Sequence, residues 1–158
     1  MKKAASTIGT LNEKALHAAL KTWYAKPNDQ FEVLVDGFVI DIVRDELLIE
    51  IQTRNFAPLK RKLMTLTANH RVHLVHPIAQ EKWIIKQRQV EKDETDKTDK
   101  TNTNEAQGVL KPRKSPKRGS FAHIFAELVS IPKLIARPNF SLEVLLIEEE
   151  EIRHYVGR

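Results

Sequence analysis

Apolar residues recur along this chain at two spacings, and the places where the spacing changes mark its elements. In "TLNEKALHAALKTWYAKPND", residues 10–29, Leu16, Ala19, Leu20 and Trp23 return every three or four positions. That predicts an amphipathic helix, closed by Pro27. From residue 30 the period shortens, and "QFEVLVDGFVIDIVRDELLIEIQT" reads as three strands. Asp36-Gly37 is a two-residue hairpin turn between apolar runs, and "RDE" a second turn. "APLKRKLMTLTANH" returns to helical spacing, with Leu59, Leu63 and Leu66 on one face. "RVHLVHPIA" is then a short strand ended by Pro77, and "KWIIKQRQV" a further one. Trp23 and Trp83 both sit in periodic apolar patterns and read as core anchors.

The pattern then lapses. "EKDETDKTDKTNTNEAQG", residues 91–108, has almost no apolar residue and cannot bury enough to order itself. It runs into a basic stretch in which five of the eight residues from Lys111 to Arg118 are Lys or Arg. Residues 91–119 therefore read as a flexible insertion between a core at 1–90 and a closing part at 120–158 on the same domain. In that closing part "SFAHIFAELVSI" places Phe121, Ile124, Phe125, Leu128 and Val129 on one helical stripe, stopped before Pro132. "FSLEVLLIEEEEIRHYV" supplies one or two last strands. The order helix, three strands, helix, strand, strand, helix, strand predicts an α/β fold: a mixed central sheet flanked by helices.

Composition narrows the picture modestly. A chain of 158 residues with 41% hydrophobic and 30% charged residues reads as one soluble globular domain. It has no apolar run of membrane-spanning length and no secretory leader, so no membrane is expected. Zero cysteines exclude disulfides and thiolate metal sites and fit a cytoplasmic location. A formal charge of +5 favours an anionic partner. With five glycines there is no Gly-rich phosphate loop, and neither a serine elbow nor a cysteine nucleophile is present.

The chemistry sits in "GFVIDIVRDELLIEIQTRNF", residues 37–56. Asp41, Glu50 and Gln52 interrupt runs of Val, Ile and Leu, where an unsatisfied carboxylate costs several kcal/mol, roughly. Glu50 and Gln52 share a strand face because they are two apart. A turn at Arg44-Asp45 sets Asp41 opposite Leu48, and a turn at Asp45-Glu46 sets it opposite Glu50. Either register lines Asp41, Glu50 and Gln52 along one side. Two carboxylates that close repel, and a divalent cation bound by oxygen ligands relieves this.

The ordered set of an acid on the first helix (Glu13), an Asp after the hairpin (Asp41) and Glu50-Ile51-Gln52 resembles the motif of the PD-(D/E)XK nuclease superfamily. The Glu13 position is similar to that of Holliday-junction-resolvase-like members, and the likeness covers roughly the first half of the chain. It implies a restriction-endonuclease-like αβββαβ core with a C-terminal helix-strand extension. It also implies hydrolysis of DNA phosphodiester bonds with Mg²⁺ (or Mn²⁺) as cofactor. Asp41, Glu50 and the Ile51 carbonyl would hold the metal, Glu13 would reach it directly or through water, and Gln52 would orient the attacking water. Gln52 stands where the superfamily usually has Lys, and an amide carries no charge for the transition state. Arg54, Lys60 and Lys62 follow the third strand and would meet phosphates. Lys111, Arg113, Lys114, Lys117 and Arg118 form either a phosphate-tracking arm or a solubilising linker.

Plainer readings compete. Thr10 to Glu13 fits a capping box. Asp41 can lie near a turn on an exposed face, and Glu50 and Gln52 can form the wet side of a strand. His70, His73 and His76 alternate faces on a strand, which disfavours a three-histidine metal site. The alternative functions are an inactive nuclease-fold module that binds nucleic acid, or a structural or interaction protein, with a homodimer possible.

Overall fold

The structure, a computed structural model, describes the backbone of residues 8–89 and 111–156, with side chains described for 14–87 and 111–153. Most of the low-complexity stretch lies outside these residues. The chain divides into two compact units: residues 1–78 with 120–146, and residues 79–119 with 147–158. Two boundaries of this division fall inside long strands, after 78 and after 146, and the third falls after 119, where the composition also changes; none falls at 91.

The first unit opens with α1 (Ile8–Tyr24), followed by the meander β1 (Gln30–Val35), β2 (Phe38–Arg44) and β3 (Leu47–Ile51). Helix α1 begins before Thr10, so Thr10 lies within the helix and not at its N-cap. Asp36 and Gly37 both take positive φ, the geometry that matches a hairpin's twist. The second turn is Asp45-Glu46, with Asp45 at φ 52°. A 3₁₀ turn, Ala57–Leu59, leads into α2 (Lys60–Asn69), and the chain then enters β4 (Arg71–Gln89) parallel to β3. The closing part holds α3 (Ile124–Leu128), α4 (Pro132–Ile135) and β6 (Phe140–Val156). The sheet is mixed: β1, β2 and β3 pair antiparallel, β3 and β4 parallel, and β6 pairs β4.

Alternation along the strands divides the core in two. Ile42, Ile49, Ile51 and Val75 pack with Leu20 and, at their margin, Leu16 and Tyr24 of α1. Ile40, Leu48, Val72 and Leu74 pack with Leu63 and Leu66 of α2, Ile124 of α3 and Leu134 of α4. Helix α1 thus covers one face of this part of the sheet, and the other three helices cover the opposite face.

Three expectations need correction. Pro77 does not end a strand, since β4 runs through it. Val75 accepts from the Gln52 amide at 2.9 Å, and residue 77 faces the same neighbour two positions on, where β3 has already ended. A missing N–H costs nothing there. The stretch 121–131 is not one helix but a 3₁₀ turn, the short α3 and a break. Ile131 leaves helical geometry at φ −128°, ψ 39°, because it precedes Pro132. Of its expected stripe Ile124 is buried, while Phe121, Phe125 and Val129 are exposed. Trp23 is also no core anchor, at 69% exposed.

In the second unit β5 (Arg113–Lys114) pairs antiparallel with β4 at Trp83 and Ile84. The Ser115 amide donates to the Lys82 carbonyl and Gly119 to Ala79, which fasten the basic stretch along β4. Lys82 holds Glu149 at 3.1 Å and Glu151 at 2.7 Å.

Candidate active site

The ladder between β2 and β3 runs from Arg44↔Leu47 to Ile42↔Ile49 and stops one step short of Asp41 and Glu50. On the other side the β1 ladder passes from Phe31↔Ile42 to Val33↔Ile40, skipping Glu32 opposite Asp41. Glu32 takes φ 53°, a left-handed conformation that costs a non-glycine residue about 1 kcal/mol or more. Strict alternation would give Ile40 and Ile42 one face, yet they join different core clusters. The regular pleat therefore breaks at Asp41, and its carboxylate turns toward α1.

There Asp41 is heavily partnered. His17 Nε2 lies 3.2 Å from Oδ2, the Ile51 amide donates to Oδ2 at 2.9 Å, and Lys21 Nζ lies 3.2 Å from Oδ1. Lys21 also pairs with Glu32. His17 and Lys21 are one turn apart on α1, and both point inward beside the buried Leu20. Burial works to raise the Asp41 carboxyl. The His17 hydrogen bond, the Ile51 amide and the charges of His17 and Lys21 outweigh it and hold the group below its usual range. The same hydrogen bond lifts His17 above its ordinary value, against the opposing effect of burial.

Glu50 is the opposite case. It is 8% exposed, and burial first, then the neighbouring Asp41 charge, push its carboxyl up. Lys62, reaching across from α2, pulls it partly back. Lys62 Nζ stands 2.6 Å from Glu50 Oε2 and donates to the Val39 carbonyl at 2.6 Å. Lys62 is thus the close cationic partner of the buried Oε2.

Gln52 is engaged elsewhere. Its side-chain amide donates to the Asn55 carbonyl at 2.7 Å, and its own carbonyl lies 2.6 Å from His76 Nδ1. It shapes the exit from β3. Ile51 donates to Asp41, and in a strand a residue's N–H and C=O face the same neighbour, so the Ile51 carbonyl also turns toward β2. Glu13 lies one turn before His17 on α1, with its side chain outside the described residues. Arg54 and Lys60 are exposed beyond β3. Lys111, Arg113, Lys114, Lys117 and Arg118 lie in the second unit. The three histidines have separate partners: His70 with Asp36, His73 with Ser141 and Glu143, His76 with Gln52. Among the described residues no group of three or more His, Asp and Glu side chains forms a metal-ligand cluster.

His17, Lys21 and Glu32 were absent from the sequence reading as site residues. The signal for the first two was available: they follow Glu13 at four-residue steps, on a helix stripe that their polarity had assigned to solvent.

A family model described as "Domain of unknown function (DUF8091)" matches residues 14–158, and the chain belongs to that family. It is 30% identical over 148 residues to an uncharacterized protein of Treponema pallidum (strain Nichols), a match covering 93% of this chain and 53% of the relative. The chain thus spans about half the length of that relative. No solved structure matches it.

Proposed function

We propose that this member of the family is a metal-dependent nuclease that hydrolyses DNA phosphodiester bonds at Asp41 and Glu50. The observation carrying the reading is the pair itself: two carboxyl groups on adjacent strands, displaced in opposite directions from their ordinary ionisation. Environments that separate two such groups assign them different chemical tasks. The helix, three-strand, helix, strand order of a restriction-endonuclease-like core supports the same reading.

The residues present fit a hard, oxygen-seeking cation. Glu50 Oε2 is a buried oxygen whose close partner is the Lys62 ammonium, Asp41 on the neighbouring strand is held ionised, and the Ile51 carbonyl turns toward that strand. Mg²⁺ or Mn²⁺ bound by these groups would supply acidity to a water and offset charge on the phosphate. The other tasks fall to the chain. The attacking water gives its proton to the Glu50 carboxylate oxygen not engaged by the cation. The water oxygen bonds to phosphorus as the bond to the leaving oxygen breaks, and the leaving oxygen takes a proton from solvent. Lys62 offers from α2 the positive charge that Gln52 lacks, and Lys21 can turn from Asp41 toward a phosphate oxygen. Arg54 and Lys60 extend the cationic rim.

One observation favours a second reading. His17, Lys21 and Lys62 already neutralise the acids, as an inactive module or a purely structural ion cluster would require. Incubation of plasmid, linear and branched DNA with Mg²⁺, Mn²⁺ or EDTA separates the two. The nuclease reading expects metal-dependent cleavage, abolished by Glu50→Gln and reduced at least ~100-fold by Lys62→Ala. Intact substrate with both metals would establish the second reading.

A further inference from the structure

Trp83 belongs to neither core cluster. It lies on β4 in the second unit, across from Lys114 of β5, and Glu81 shares its strand face two residues earlier. Lys114 places its ammonium 5.4 Å from the Trp83 ring centroid while pairing with Glu81 at 2.5 Å. A tryptophan outside the core, with a displaceable cation on its face, offers a flat apolar surface bordered by charge.

The border is strongly basic. Lys111, Arg113, Lys117 and Arg118 are all exposed; Lys114 forms the ion pair with Glu81, whose carboxyl the Arg118 charge also lowers. β5 ends the strand order, and among the described residues no strand pairs with its outer side. Of the acids of β6, Lys82 holds Glu149 and Glu151, and Arg153 also meets Glu151, while Glu148 and Glu150 are exposed. Lys82 is one residue from Trp83 and so lies on the opposite sheet face. We propose that this edge binds single-stranded nucleic acid, with a base stacked on Trp83 and the backbone phosphates on Arg113, Lys117 and Arg118. Lys114 moves from the ring to a phosphate as the base enters. A bare phosphate-binding arm would need no aromatic ring and would take duplex as readily as single strand; the Trp83 platform is what selects an unstacked base.

This surface does not depend on Asp41 and Glu50, and binding measured in EDTA tests it without cleavage. The probe is a labelled oligothymidylate, followed by anisotropy against a duplex of equal length. Single strand is expected to bind about 10-fold or more tightly than duplex, and Trp83→Ala to remove about 10-fold of affinity or more while Trp83→Phe retains most of it. Neutralising Arg113, Lys117 and Arg118 together should flatten the dependence of affinity on log salt. A Trp23→Phe variant leaves Trp83 as the one tryptophan in an otherwise intact surface, and its emission should be quenched by the oligonucleotide. Equal binding of duplex and single strand, an unchanged affinity in a folded Trp83→Ala, or binding without quenching in Trp23→Phe would each overturn the proposal.

Discussion

Asp41 and Glu50 stand on neighbouring strands, yet the surroundings favour charge on one and oppose it on the other. The consequences for stability have opposite signs. Asp41 contributes stability above its ordinary value of 3.8, lost as pH falls through its lower folded value. His17 contributes fully below 6.5, and its share is lost as pH rises through its raised folded value. Glu50 instead weakens the fold as pH rises from 4.5 through its raised folded value, because the native state holds that proton more tightly. Thermal unfolding at neutral pH should therefore give an equal or higher midpoint for Glu50→Gln. Asp41→Asn should melt lower, by about 1–3 kcal/mol of stability, since it strands the donors around it. Asp41→Asn should also remove the wild-type decline in stability above pH 6.5. A lower midpoint for both variants would mean that Glu50 is held as a structural carboxylate. The acids were legible as residues out of place among Ile and Val. Their opposite environments were not, because these depend on His17 and Lys21 from α1 and Lys62 from α2, far away in sequence.

Helix α1 shows what periodicity can and cannot settle. Its existence and its approximate end at Pro27 followed from apolar spacing, but the inward face was displaced by one residue. The sequence stripe of Leu16, Ala19, Leu20 and Trp23 became Leu16, His17, Leu20, Lys21 and Tyr24. Hydrophobicity alone cannot identify this face, because two of its members are buried as partners of Asp41 rather than as apolar surface. Tyr24 gains the Glu143 carboxylate at 2.7 Å and the Arg44 guanidinium over its ring, which Trp23 does not. Denaturant unfolding should separate the faces: Leu20→Ala should cost about 2–5 kcal/mol, and Trp23→Ala should stay within about 0.5 kcal/mol of wild type. A large loss for Trp23→Ala would restore the original stripe. The hairpin turns were far more legible, since Asp36-Gly37 carries its own backbone preference and needs no distant partner.

Across the whole molecule, the α/β class and the mixed sheet could be read from the alternation of periods. The two-unit division was visible only at its boundary after Gly119, where the basic stretch gives way to the closing part. Its other two boundaries lie within β4 and β6, which run unbroken through them. The basic stretch at 111–118 was visible as charge, but its attachment to β4 depends on backbone bonds that leave no compositional trace. No helix among the described residues is long and apolar enough to cross a membrane.

The proposed cation site joins these scales, from the broken pleat at Asp41 to the buried Glu50 and the elements that hold both. The direct measurement is thermal unfolding of wild type and Glu50→Gln across a titration of Mg²⁺ and of Mn²⁺, without nucleic acid. A cation that binds only the folded state stabilises it by about 2.7 kcal/mol at roughly a hundred times its dissociation constant. The wild-type midpoint should climb with metal concentration while that of Glu50→Gln stays fixed. A wild type unmoved by either metal, or a Glu50→Gln variant that climbs equally, would contradict the site.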